Sequence, residues 1–167
     1  MIDFNNFIQD CVVYLNGVNT VTARYRMTNK PAPTTASAYV GEALEPLKVF
    51  ASKYSTAAGL CSASSSRVWM AGVIEAICVV FRARVQSLID TVKSMDAALN
   101  KRSGRPKATN PGGMSDSEKI LLQLLLDVQV FATLAAGMDV PVELIPSYAA
   151  LLSEVQEGAP AVVNITE

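Results

Sequence analysis

The chain has 167 residues, half of them apolar and 17% charged, with a formal net charge of −1 and a mean hydropathy of +0.28. That length suits one domain with a real core, the apolar excess demands burial against neighbours or partners, and the charge balance supplies no field to draw in nucleic acid or acidic lipid. There is no histidine, which removes the commonest general base and the usual Ser/His and Cys/His nucleophile pairs. An enzyme is therefore disfavoured, and no catalytic residue, cofactor site or metal site is assigned. Cys11, Cys61 and Cys78 form no C-x-x-C pair, so reduced and mostly buried cytosolic thiols are expected. The opening "MIDFNNFIQD" carries an early acidic residue and no basic region before an apolar core, unlike a secretory signal.

In chain order, Phe4, Ile8, Cys11, Leu15, Val18 and Tyr25 recur at steps of three and four, with Thr22 filling the gap. This spacing predicts one long helix, weakened at Gly17 and stopped near Met27 by the prolines of "TNKPAPTT". A second helix carries Tyr39, Ala43, Leu47 and Phe50 on one face, and Pro46 predicts a kink or two short helices. "STAAGLCSASSS", residues 55–66, predicts a loop whose last serines cap the third helix. That helix has the most regular stripe in the chain: Met70, Ile74, Ile77, Phe81, Val85, Leu88, Val92, Met95 and Leu99. It is a packing seam, entering the core at its N-terminal end and leaving it at the other. "KRSGRPKATNPGG" then combines Gly, Pro and basic residues without an apolar anchor and predicts a mobile linker over residues 101–114.

Ser115 and Glu118 form a capping box, and Asp116 adds negative charge at the positive end of the helix dipole. From Ile120 to Met138 the fourth helix is long enough to cross a bilayer, yet Asp127 would sit near the centre at a cost of about 2.5 to 3.5 kcal/mol, with Gln123 and Gln129 adding to it. The buried spine of a bundle is the better reading, with Asp127 facing the rim or accepting hydrogen bonds from a partner helix. Asp127 and Glu75 are the carboxylates deep in apolar runs, and nothing in the sequence places them together. After Gly137 a short final helix presents Tyr148, Leu151, Leu152 and Val155 to the bundle. The expected fold is all-α: about five helices in one domain over residues 1–157, the long third and fourth helices antiparallel with their apolar faces covering each other, and a flexible tail over 158–167.

The block "TARYRMTNKPAPTTASAYVGEALEPL", residues 22–47, and the block "GGMSDSEKILLQLLLDV", residues 112–128, resemble the C-terminal region of subunit 2 of the conserved oligomeric Golgi complex. The intervening "WMAG", residues 69–72, resembles a W-x-x-G element of that family, and "VQSLIDTVKSMDAAL" resembles the helix leading to its basic linker. The resemblance spans roughly residues 20–155 and is weakest at 48–66 and 73–84. It implies a non-enzymatic vesicle-tether subunit acting in retrograde traffic within the Golgi and in maintaining glycosylation, cytoplasmic and peripheral to Golgi membranes. The implied partners are the other subunits of the complex, with vesicle-fusion or coat proteins as further contacts. The alternative is a stand-alone helical bundle that binds a small apolar ligand or serves as an adaptor, for which a convergent polar cluster inside the core would be the mark.

Overall fold

A computed structural model of the chain describes residues 3–56, 63–103 and 113–158. Its α-helices are α1 (Phe4–Val12), α2 (Val18–Tyr25), α3 (Ala38–Thr56), α4 (Ala63–Ser103), α5 (Asp116–Ala136) and α6 (Pro146–Gly158). Among the described residues there is no strand, as the all-α expectation requires.

The predicted first helix is real but not uniform. Asp3 caps α1 by accepting from the Asn5 and Asn6 amides at 2.9 and 3.3 Å. The chain then tightens into a 3-10 segment, Val13–Gly17, before α2 resumes, so α1 and α2 form one continuous rod and the described residues make five rods. Gly17 lets this segment lie close against α3. A Cβ built there would lie 2.5 Å from the Cβ of Tyr39, closer than carbon atoms pack. Gly17→Ala is therefore expected to lower stability by about 1 to 3 kcal/mol through overpacking, despite a gain of about 1 kcal/mol in helix propensity. Urea unfolding measures it, and a stabilised variant would show that Tyr39 does not bear on this backbone.

Pro46 sits inside a single helix, so the alternative of two short helices does not hold. Residues 48–56, where the family resemblance is weak, continue α3, and 57–62, which include Cys61, lie outside the described residues. α4 begins at Ala63, so Ser64, Ser65 and Ser66 fall within its first turn instead of preceding it. At its other end α4 runs through Ser103, so residues 101–103 of the predicted linker are helical; 104–112 lie outside the described residues. The same holds for residues 159–167 of the predicted tail, whose first residue, Gly158, ends α6.

α4 has 41 residues, about 60 Å, and α5 has 21, about 30 Å. They are antiparallel: Ser117 at the start of α5 donates to Asp96 near the end of α4 at 2.8 Å, while Phe131 meets Phe81 at 5.8 Å between ring centroids. Their apolar faces do not mainly cover each other, however. α4 packs most extensively on α6, and α5 on α2, α3 and α6. α4 and α6 run parallel, held in register by a hydrogen bond from the Ser147 hydroxyl to Glu75 and by the Arg82–Glu154 ion pair at 2.9 Å. Just before α6, Asp139 takes a left-handed turn (φ 64°) and meets Arg67 at 2.7 Å.

The α4 stripe is buried from Met70 through Val92, half-buried at Met95, and 60% exposed at Leu99, so the helix leaves the core as its pattern predicts. At the opposite end Trp69 stacks on Phe50 at 4.2 Å and meets the rings of Phe4 and Phe7 edge-on. In α6, Tyr148, Leu151 and Val155 are buried and Leu152 is half-buried.

Candidate functional site

Four polar residues of α5, Asp116, Lys119, Gln123 and Asp127, recur at steps of three and four and share one face of the helix. Along that face runs the connection from α2 to α3, residues 26–37, and the four side chains take hold of its main chain in sequence order. Asp116 accepts from the Met27 amide at 2.8 Å and Lys119 donates to the Lys30 carbonyl at 2.7 Å. Gln123 donates to the Thr35 carbonyl at 2.9 Å, and Asp127 accepts from the Ser37 amide at 2.6 Å. The sequence explains why side chains are needed. Pro31 and Pro33 lack amide hydrogens and prevent helix, so main-chain partners that a helix would supply internally must come from elsewhere. Met27 and Asn29 are left-handed, with φ of 55° and 51°, which turns the chain out of α2 and onto α5.

Beneath the inner end of this seam lies a buried network. Asp127 is fully buried and accepts three hydrogen bonds in all: from the Ser37 amide, from the Tyr39 hydroxyl at 2.6 Å and from Gln123 Nε2 at 2.9 Å. Gln123 Oε1 in turn accepts from the Tyr25 hydroxyl at 2.7 Å and from Arg24 at 3.5 Å, and Arg24 also reaches the Ser37 hydroxyl at 3.5 Å. Of the two placements open to Asp127, rim or partner-helix network, the network is the one observed. Glu75 belongs elsewhere: half-buried on α4, it accepts from the amide and hydroxyl of Ser147 and so caps the start of α6.

Burial raises the Asp127 carboxyl above its ordinary pKa, outweighing the bonds from Tyr39, Ser37 and Gln123, which pull the other way. The Tyr39 hydroxyl is pushed up by burial and then by the Asp127 charge. A folded-state pKa above the unfolded value means that Asp127's contribution is complete below the unfolded value of about 4 and declines as pH rises through the folded one. The stability margin of the wild type over Asp127→Asn is thus expected to shrink from about pH 4 toward neutrality. Parallel urea titrations at several pH values check this; a margin that grows with pH would reverse the sign.

This cluster is the convergent polar site that sequence periodicity missed. Spacing alone marks Gln123 as a polar interruption of an apolar helix, Tyr39 as an apolar stripe position and Tyr25 as part of a packing face. The legible signal was the spacing 116, 119, 123, 127. The donors and acceptors here are taken up by one another and by the 26–37 main chain, an arrangement that fixes two chain segments together. Cys11 and Cys78 are free and buried, and burial pushes both thiols to about 12, far from a reactive thiolate at neutral pH. Among the described residues no group of acidic, Cys or His side chains is arranged to hold a metal. α5 is long and apolar enough to cross a membrane by composition alone. In the fold it is packed by α2, α3, α4 and α6 with Gln123 and Asp127 on its buried side.

The segments joined by the seam lie within the two blocks, 22–47 and 112–128, that carry the family resemblance in the sequence. A family model described as "COG complex component, COG2, C-terminal" matches residues 4–128. The chain belongs to this COG2 C-terminal family. Conserved oligomeric Golgi complex subunit 2 of Dictyostelium discoideum is 32% identical over 130 residues, covering 76% of this chain and 14% of that protein. The Homo sapiens protein of the same name is 32% identical over 157 residues, covering 88% of this chain and 21% of that protein. The Arabidopsis thaliana one is 24% identical over 141 residues, 80% of this chain and 18% of its own length. The chain thus spans about a fifth or less of the curated relatives it matches. No solved structure matches it. The COG2 C-terminal match ends at Val128, one residue past Asp127, so it takes in every member of the seam.

Proposed function

We propose that this chain is a domain of a subunit of the conserved oligomeric Golgi complex, a vesicle tether acting in intra-Golgi retrograde transport and in maintaining glycosylation. The observation that carries this reading is the family match across residues 4–128, supported by relatives in several eukaryotes that bear the subunit's name. In this reading the domain works without catalysis. Helix surfaces contact other subunits, and the protein associates peripherally with the cytoplasmic side of Golgi membranes. The half-apolar composition supports it, because part of that excess would be covered by neighbouring subunits.

Affinity capture of the full-length parent from cell lysate is the test. The other subunits of the tether should co-purify, and loss of the parent should disturb Golgi glycosylation through misplaced resident enzymes. Vesicle-fusion and coat proteins are the further contacts sought in the same capture. The isolated domain should capture these partners poorly, since a bundle of this size offers a modest surface beside long helical rods. Recovery of a metabolic pathway's proteins together with normal glycosylation would overturn the assignment.

A further inference from the structure

The whole-chain charge of −1 hides an asymmetry at one end of the bundle. Asp116, at the start of α5, holds the Met27 amide, and the neighbouring Ser117 bonds Asp96 on α4. These bonds bring the turn after α2 and the last turns of α4 to the same end, where α4 runs on past Asp96 to Ser103. Two large apolar side chains stand in solvent there: Met27, 89% exposed, and Leu99, 60% exposed. Met27 is held out at a left-handed φ of 55°, a strained backbone with no burial of its side chain to offset the strain. The charges at this end divide by sign. Arg26, Lys30 and Lys101 are exposed and form no ion pair among the described residues, whereas Arg67 and Arg82 elsewhere on the surface are paired. Lys119 adds a fourth cation, its ammonium 2.7 Å from the Lys30 carbonyl. The carboxylates nearby, Asp96, Asp116 and Glu118, are half-buried and turned onto the Ser117 hydroxyl, the Met27 amide and the Ser115 amide.

We propose that this end of the bundle is a membrane contact, in which Met27 and Leu99 enter the headgroup layer of a bilayer while Arg26, Lys30 and Lys101 meet its anionic phosphates. The combination selects a lipid surface. Cations alone would suit any acidic partner, but an apolar side chain that stands out among them gains only where the surface it meets is charged outside and apolar just beneath. Each basic residue near an anionic bilayer is worth about fivefold in affinity, and neither the charges nor the two apolar groups suffice alone, since anchoring of this kind combines both signals. This inference rests on the peripheral membrane association proposed above and names the surface that makes it.

Vesicle sedimentation of the intact chain tests it, with vesicles of equal parts phosphatidylcholine and phosphatidylserine set against phosphatidylcholine alone. The chain should bind the anionic vesicles, release them as salt rises and leave the neutral ones unbound. Arg26→Gln with Lys30→Gln should weaken binding by about 30-fold and Met27→Ser by about tenfold. These side chains are exposed, so thermal unfolding should stay unchanged and the loss is read as lost contact with lipid. Arg67→Gln removes a cation at the opposite end of α4 and should change binding by less than about twofold. No binding to anionic vesicles at low salt, or equal losses from Arg67→Gln and Arg26→Gln, would overturn the proposal. So would binding that Met27→Ser leaves intact and polyglutamate competes away, which would assign this end to an acidic protein segment. Capture of tether subunits by the full-length parent does not require lipid, so failure here is distinguishable from failure of the assignment.

Discussion

Asp127→Leu is expected to lower stability by about 3 to 5 kcal/mol, a large part of what a domain of this size has. Leucine is close to aspartate in reach but accepts nothing, so the Ser37 amide, the Tyr39 hydroxyl and the Gln123 amide lose a common acceptor in a site sealed from water. Each orphaned buried donor costs about 1 to 3 kcal/mol, and the apolar burial gained by leucine offsets only part of the sum. Because the residues act together, Asp127→Leu combined with Tyr39→Phe should destabilise less than the two single changes added, since the second removes a donor that the first has orphaned. Urea unfolding of the four proteins gives the coupling. A loss under about 1 kcal/mol for Asp127→Leu would show that water or a side-chain shift takes over the acceptor role.

Phe81→Ala is the second large effect, about 3 to 5 kcal/mol. Phe81 is fully buried, with the Tyr39 ring at 6.1 Å and the Phe131 ring at 5.8 Å, so three helices meet on it and none can close the gap without moving the others. Leu99→Ala on the same stripe supplies the contrast. At 60% exposure Leu99 should change stability by no more than about 0.5 kcal/mol. Comparable losses at both positions would mean that the far end of α4 is covered in solution.

Periodicity made the rods legible because burial repeats every three to four residues along them: Cys11, Leu15, Val18 and Tyr25 on the first rod and Met70 to Val92 on α4 are buried as their spacing implies. The capping box at Ser115 and Glu118 was equally local and equally visible, and it forms at 3.2 and 2.7 Å. Pairing between rods was not local. The α4 stripe says that something covers it but not that the cover is chiefly α6, because any apolar face can satisfy another. The seam is hidden from the sequence for a related reason. Its partners on the other side are main-chain atoms of Met27, Lys30, Thr35 and Ser37, and main-chain atoms leave no trace in residue types. The close approach of Tyr39 from α3 to Gly17 is likewise non-local, and Gly17 alone could not announce it.

The bonds from Ser37 to Asp127 and from Tyr25 to Gln123 span 90 and 98 positions. At synthesis rates of about 5 to 20 residues per second, roughly 5 to 20 s separate the emergence of Ser37 from that of its acceptor. Through that interval α2, and then α3 and α4 as they emerge, lack α5, and the apolar faces it covers on α2 and α3 are open to premature association. Nascent chains halted before Gln123 should therefore be bound by chaperones, and slowing the ribosome over α5 should raise aggregation more than slowing it over α1.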